Sequence, residues 1–125
     1  MTLARWLILL GSIIMFVGAL LHIVGGSLGV FPVLVKAGVG PLVVGAVKCV
    51  WLDFSAHGVL LAPALVWISS RQGTRSLLFY LALIPLVDAI LMYHFVGFFI
   101  GFYIVSASAF LLLAGAWLMP RGQSV

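Results

Sequence analysis

The chain is short of charged and polar residues. It has no glutamate and no asparagine, and its only acidic residues are Asp53 and Asp88. Charged residues make up 6% of the sequence and apolar residues 66%, with a mean hydropathy of +1.40. Soluble domains are about one-quarter charged and about half apolar. The composition therefore excludes an ordinary soluble domain and predicts an all-α integral membrane protein, with one domain over residues 1–125.

Cysteine is also scarce, because Cys49 is the only one and cannot form a disulfide within the chain. The six Lys and Arg residues give a formal net charge of +4, but they are scattered and form no basic run. An interface with nucleic acid needs clustered basic residues. We therefore expect no binding of nucleic acid and interpret the basic residues as determinants of membrane topology.

Four apolar runs are long enough to cross a bilayer, which takes about 20 residues in a helix. The N-terminal run exceeds the apolar part of a typical cleaved signal peptide, so we expect it to be retained as a span. Arg121 and Gly122, after Pro120, are expected to end the last helix. The sequence thus predicts a four-transmembrane-helix bundle, with spans over about residues 6–25, 43–69, 76–95 and 98–118.

Residues 26–41 interrupt this pattern between the first two spans. They contain four glycines, two prolines and a single charge, Lys36, among apolar side chains. Glycine and proline disfavour a regular helix. We predict an irregular apolar segment that lies at the outer interface or dips into the bundle, where it could cover a cavity. A loop that merely rests on the lipid headgroups is an equal alternative.

The basic residues predict the orientation of the bundle. In an even-numbered bundle one side collects Arg5, Arg71, Arg75 and Arg121. Because positive residues favour the cytoplasmic side, we expect both termini in the cytoplasm. An aromatic belt at the same edge is formed by Trp6, Trp67 and Trp117.

Ionisable residues gather in the outer half of the predicted bundle. Asp53 and His57 are four residues apart, so they share one face of a helix. Asp88 and His22 fall at a similar depth in two other spans. Ionisable groups at membrane depth are costly and commonly functional. We predict an extracytoplasmic site with Asp53, His57, Asp88 and His22 as catalytic residues; the structural alternative is a polar network that only joins helices.

The site suits acid–base chemistry on a lipophilic small molecule, of an isomerase, cyclase or hydrolase type. In this hypothesis Asp53 orients the imidazole of His57, and Asp88 acts as the acid. The prediction of an enzyme is a preference over the alternatives that follow.

Metal-assisted chemistry is one alternative, since the residue types fit zinc, iron or copper. The candidate ligands are His22, Asp53, His57, Asp88 and His94. Haem held by two histidines is a weaker possibility. No compact motif such as His-Glu-x-x-His supports either one.

Other functions stay open beside the enzyme. The ionisable residues also fit a proton- or cation-coupled transporter. The small size fits an accessory subunit of a membrane complex. Glycines recur at packing distance in the first and last spans, which favours close helix packing and allows a homo-oligomer in the lipid bilayer.

Overall fold

The computed structural model describes residues 1–120, which contain helices and no β-strand. The elements are α1 (Leu3–Gly25), a π-helical turn (Gly26–Val30), α2 (Phe31–Lys36), α3 (Pro41–Ser69), α4 (Arg75–Val96) and α5 (Ile100–Leu118). Four helical rods are long and apolar enough to cross a membrane: α1 with its extension through α2, then α3, α4 and α5. The prediction of an all-helical chain with four such rods is confirmed, and the rods are compatible with a multi-pass membrane protein.

The first rod is longer than the sequence predicts. It runs from Leu3 to Lys36, 34 residues, or about 51 Å at the α-helical rise. The prediction of an irregular segment is therefore wrong for residues 26–36, and only residues 37–40 form the connection to α3. Pro32 lies in the first turn of α2, directly after the π-helical turn. Pro32 has no amide hydrogen and cannot donate an α-helical hydrogen bond. The wider π-helical turn directly before it already departs from the regular α-helical pattern.

The connection between α4 and α5 is short, as the sequence predicts. Residues 97–99 join the two helices, and Gly97 adopts a φ of +85°, which favours glycine. The α5 helix ends at Leu118, before Pro120. Arg121 and Gly122, the other predicted helix stops, lie outside the described residues.

The rods are arranged in the order α3, α1, α5, α4, because α1 packs on both α3 and α5 while α4 packs mainly on α5. Glycines bring α1 and α5 together. A Cβ atom at Gly115 would lie 2.6 Å from Ile8 Cγ1, and one at Gly11 would lie 2.9 Å from Leu112 Cγ. These glycines pack within one chain, and a homo-oligomer stays a prediction.

The core fills one end of the bundle, where α1 and α4 begin and α3 and α5 end. Its largest side chains are each 1% exposed: Ile8, Leu65, Leu78 and Leu112. We call this the arginine end, because it holds Arg5, Arg71 and Arg75.

The arginines are fixed by the ends of neighbouring helices. The Arg5 guanidinium donates from Nε to the carbonyl of Ser69 at 3.2 Å and from Nη2 to that of Ser70 at 3.3 Å, where α3 ends. A cation is favourable at a helix C-terminus. Arg71 lies 4.9 Å over the ring of Trp67, and Arg75 lies 5.2 Å over that of Trp117. The grouping of these arginines and tryptophans at one end matches the sequence analysis; the side of the membrane that this end faces stays a prediction, and Arg121 lies outside the described residues.

Candidate functional site

The half of the bundle opposite the arginine end contains a cavity of about 260 Å³, lined by all four rods. It is continuous with a groove of about 550 Å³ between α3 and α4, since six residues line both. The two helices pack at the arginine end but make few contacts elsewhere. The groove therefore opens at the side of the bundle, where a membrane would place lipid.

Three ionisable side chains line an otherwise apolar cavity: His22 from α1, His57 from α3 and Asp88 from α4. His22 and Asp88 also line the groove. The rest of the lining consists of glycine, alanine, proline, aliphatic, aromatic and methionine residues. Within residues 1–120, no lysine, arginine, serine, threonine or tyrosine lines either space. Polar chemistry in the cavity is thus confined to three side chains.

The His22 imidazole is oriented by a hydroxyl of α3. His22 Nδ1 lies 2.9 Å from Ser55 Oγ, and Ser55 Oγ donates to the carbonyl of Trp51 at 3.0 Å. A hydroxyl has one proton. In the arrangement where Ser55 gives that proton to the Trp51 carbonyl, His22 Nδ1 is the donor to Ser55 Oγ. This tautomer leaves a lone pair on Nε2 of the neutral ring, as a general base requires.

Trp51 packs on the same imidazole. The two rings are stacked, with centroids 4.0 Å apart and planes at 6°, and Trp51 Nε1 donates to the backbone carbonyl of His22 at 2.7 Å. Phe54 tilts against the imidazole at 5.0 Å, and Phe31 of α2 lies edge-on to the indole at 5.9 Å. Gly26 makes room for the indole, because a Cβ atom there would lie 2.4 Å from Trp51 Nε1. His22 is therefore packed between Trp51 and Phe54 and bonded at Nδ1 to Ser55.

Asp53 lies outside this arrangement. It is exposed and lines neither the cavity nor the groove. It is two residues from both Trp51 and Ser55, about 200° around the helix from each, and so faces away from the cavity. Cys49 is also exposed.

His57 has an intermediate position. It lines the cavity and its side chain is exposed, so it lies at the rim. Among residues 1–120, the side-chain hydrogen bonds of this part of α3 involve Trp51 and Ser55, and not Asp53 or His57. The expected orientation of His57 by Asp53 is therefore not formed by a hydrogen bond.

The candidate metal ligands are spread over the bundle. His94 is exposed at the end of α4 and packs edge-on against Phe95 at 4.8 Å, while Asp53 faces outward. Within residues 1–120, no three His, Cys, Asp or Glu side chains come together in a way that fits a metal ion. The five predicted ligands thus form no common centre, and haem ligation by two histidines stays a prediction.

Two residues of the site were missed by sequence reasoning, Trp51 and Ser55. The available signal was the spacing of small residues on α3. Ser55, Gly58 and Ala62 are all buried and follow at helical intervals. Small residues mark the faces on which membrane helices meet.

Neither protein-family models nor curated proteins nor solved structures give a match to this chain. The function is therefore inferred from the geometry of the cavity.

Proposed function

We propose that this chain is a membrane-embedded enzyme that performs acid–base chemistry on a lipophilic small molecule. The carrying observation is the His22 imidazole held by Ser55 and Trp51 in an apolar cavity; when Nδ1 donates to Ser55, Nε2 is the atom that accepts a proton. Ligand sites are typically concave and apolar with a few convergent polar groups. The cavity has that character.

Each ionisable residue has a distinct role in this proposal. His22 is the general base, because its position and tautomer are fixed by contacts that do not use Nε2. Asp88 approaches from α4 and is the second proton-exchanging group. His57, at the rim, relays protons between the cavity and its surroundings. General acid–base catalysis needs such groups within reach of the same substrate atoms.

The groove between α3 and α4 provides the route of entry. Its walls are apolar apart from His22 and Asp88. A lipophilic molecule dissolved in the bilayer reaches this groove sideways, without passing through water. Its polar group then meets His22 and Asp88, while its apolar part stays between the two helices.

Transport has weaker support, because it requires access from both sides of the membrane. The arginine end is filled by side chains that are about 1% exposed, including Ile8, Leu65 and Leu78. Those side chains lie between the cavity and that end of the bundle. An accessory role draws no support from a particular residue.

The test uses a terminally brominated octanol, because bromine quenches tryptophan fluorescence at short range. In the first protein, phenylalanine replaces the three tryptophans at the arginine end, Trp6, Trp67 and Trp117, so that Trp51 is the one tryptophan left. A second protein retains Trp67 instead and reports only partition of the probe into detergent. We expect saturable quenching of Trp51 and a linear, unsaturated response from Trp67.

Filling the cavity should abolish the saturable response. Gly25 lines the cavity, and a Cβ atom there would meet nothing within 4 Å, so Gly25→Leu adds volume without a backbone clash. Gly45 of α3 has equally open surroundings but lines neither space, so Gly45→Leu is the matched control. Saturable quenching that survives Gly25→Leu, or equal quenching of Trp51 and Trp67, would overturn the proposal.

A further inference from the structure

We infer that the molecule bound in this cavity is a lipophilic amine, held as its ammonium ion with Asp88 as the counter-ion. This inference rests on the proposed function and adds the chemical class of the substrate. It follows from which hydrogen-bonding groups, charges and rings the cavity presents.

The cavity is rich in acceptors and poor in donors. His22 Nε2 carries a lone pair when Nδ1 donates to Ser55. The Asp88 carboxylate is also an acceptor. The nearest indole donor, Trp51 Nε1, is already used by the backbone carbonyl of His22. A complementary ligand must therefore supply N–H or O–H donors.

Within residues 1–120, no lysine or arginine lines the cavity to balance Asp88, and the other ionisable side chains there are His22 and, at the rim, His57. Lys48 is exposed with Nζ 5.5 Å over the ring of Phe31, and it lines neither space. Within residues 1–120, the arginines are all at the opposite end of the bundle. An unpaired carboxylate in apolar surroundings is costly, and a bound cation offsets that cost. A phosphate or carboxylate ligand would instead add a second negative charge.

Aromatic rings complete the match to an ammonium group. Trp51, Phe54 and Phe99 line both the cavity and the groove. A cation near such rings is attracted by their quadrupoles, most strongly where water is excluded. A hydroxyl group offers one donor and no charge, so a neutral alcohol should fit the same space more weakly. An ammonium ion also has N–H groups, one of which donates a hydrogen bond to the lone pair of His22 Nε2.

The experiment compares octylamine, octanol and octyl phosphate as competitors of brominated octanol in the protein that retains only Trp51. Neutral detergent is used, and the Trp67 protein corrects each ligand for partition. We expect octylamine to displace the probe at about one-tenth the concentration of octanol, a difference of about 1.4 kcal/mol. Octyl phosphate should displace it least.

The carboxylate is tested by Asp88→Asn, with Asp53→Asn as the matched control on the outward face of α3. Asp88→Asn should remove the preference for octylamine over octanol, and saturable binding of octanol, whatever its affinity, shows that the variant is folded. Asp53→Asn should change neither affinity. The wild-type ligand order tests the inference separately, whatever the fate of the variant.

Failure of the inference and failure of the proposed function give different results. If octanol binds saturably but octylamine binds no better, or if octyl phosphate binds best, the assignment of an amine is wrong and the cavity remains a lipophilic site. If Asp88→Asn retains the full preference for octylamine, Asp88 is not the counter-ion and the inference fails. If no probe binds saturably, the proposed function itself is overturned.

Discussion

His22 and Trp51 are joined by two separate contacts across the α1–α3 interface. Their rings stack at 4.0 Å, and the Trp51 indole donates a 2.7 Å hydrogen bond to the carbonyl of His22. The first contact sets the plane of the imidazole, and the second fixes its backbone relative to α3. Together with Ser55 they leave the ring little freedom to turn. Trp51 and Ser55 are therefore positioning residues for the proposed base.

The tautomer of His22 should depend on Ser55. In Ser55→Ala the Nδ1 proton loses its acceptor, so we expect the neutral ring to become a mixture of both tautomers. Nitrogen NMR of labelled histidine measures the two forms directly. Ser108→Ala is the control, because Ser108 is equally buried and donates to the carbonyl of Gly11 at 2.9 Å. Both variants should lose about 1 kcal/mol of stability; a tautomer change in both, or in neither, would argue against the role of Ser55.

Substitution of Gly26 should displace the indole from the site. A Cβ atom there would lie 2.4 Å from Trp51 Nε1, so Gly26→Ala forces Trp51 to move and breaks its bond to His22. We expect a loss of about 1–3 kcal/mol of stability and a red shift of Trp51 emission in the protein that retains only this tryptophan. Gly29→Ala is the control from the same π-helical turn, since its surroundings are open. Unchanged emission in Gly26→Ala would contradict this account of the site.

The rods were predictable from sequence because their length and composition reflect the thickness of a bilayer. The face of α3 that points into the bundle was not predictable from sequence. In a membrane, apolar residues cover both the inward and the outward faces of a helix, so hydrophobicity does not mark the interior. Asp53 and His57 are about 40° apart around the helix, but this spacing does not indicate where the cavity lies: His57 lines its rim and Asp53 does not. Asp53 lies on the outward face, while Trp51 and Ser55 form the inner one.

The continuation of the first rod was missed for a different reason. Glycine and proline between residues 26 and 36 disfavour an α-helix as single residues. A π-helical turn takes up the irregularity before Pro32, and Phe31 then packs against Trp51. Tertiary contact thus stabilises a helix that local propensity does not favour. Local propensity gives no sign of such a contact.

Topology is testable from the arginine end. Arg5, Arg71 and Arg75 share that end with the first residues of the chain, and such an end should face the cytoplasm. A tag fused after Val125, which lies outside the described residues, should resist external protease in intact cells and become sensitive after permeabilisation. Cleavage in intact cells would refute the orientation.

Access from one side separates an enzyme from a transporter. Ala46 lines the groove, whereas Ala56 is exposed on α3 and lines neither space. In a Cys49→Ala background, Ala46→Cys should react with a small impermeant thiol reagent only from the side opposite the termini. Ala56→Cys, facing lipid, should react from neither side. Reaction of Ala46→Cys from both sides would favour transport.

The final prediction decides between the site drawn around Asp53 and His57 and the site centred on His22. Asp53 faces away from the cavity, and a neutral amide costs less to bury in lipid than a carboxylate. We therefore expect Asp53→Asn to keep or raise thermal stability and to leave the binding of brominated octanol unchanged. His22→Leu removes the ring that stacks on Trp51, a loss of about 0.5–1.5 kcal/mol, and it removes the lone pair of Nε2 without supplying another acceptor. Octylamine affinity should then fall by about tenfold, because the second acceptor is gone. Thermal unfolding in detergent measured beside probe displacement gives both quantities for each variant. A tenfold loss of octylamine affinity in Asp53→Asn, with none in His22→Leu, would show that the binding site lies on the outward face of α3.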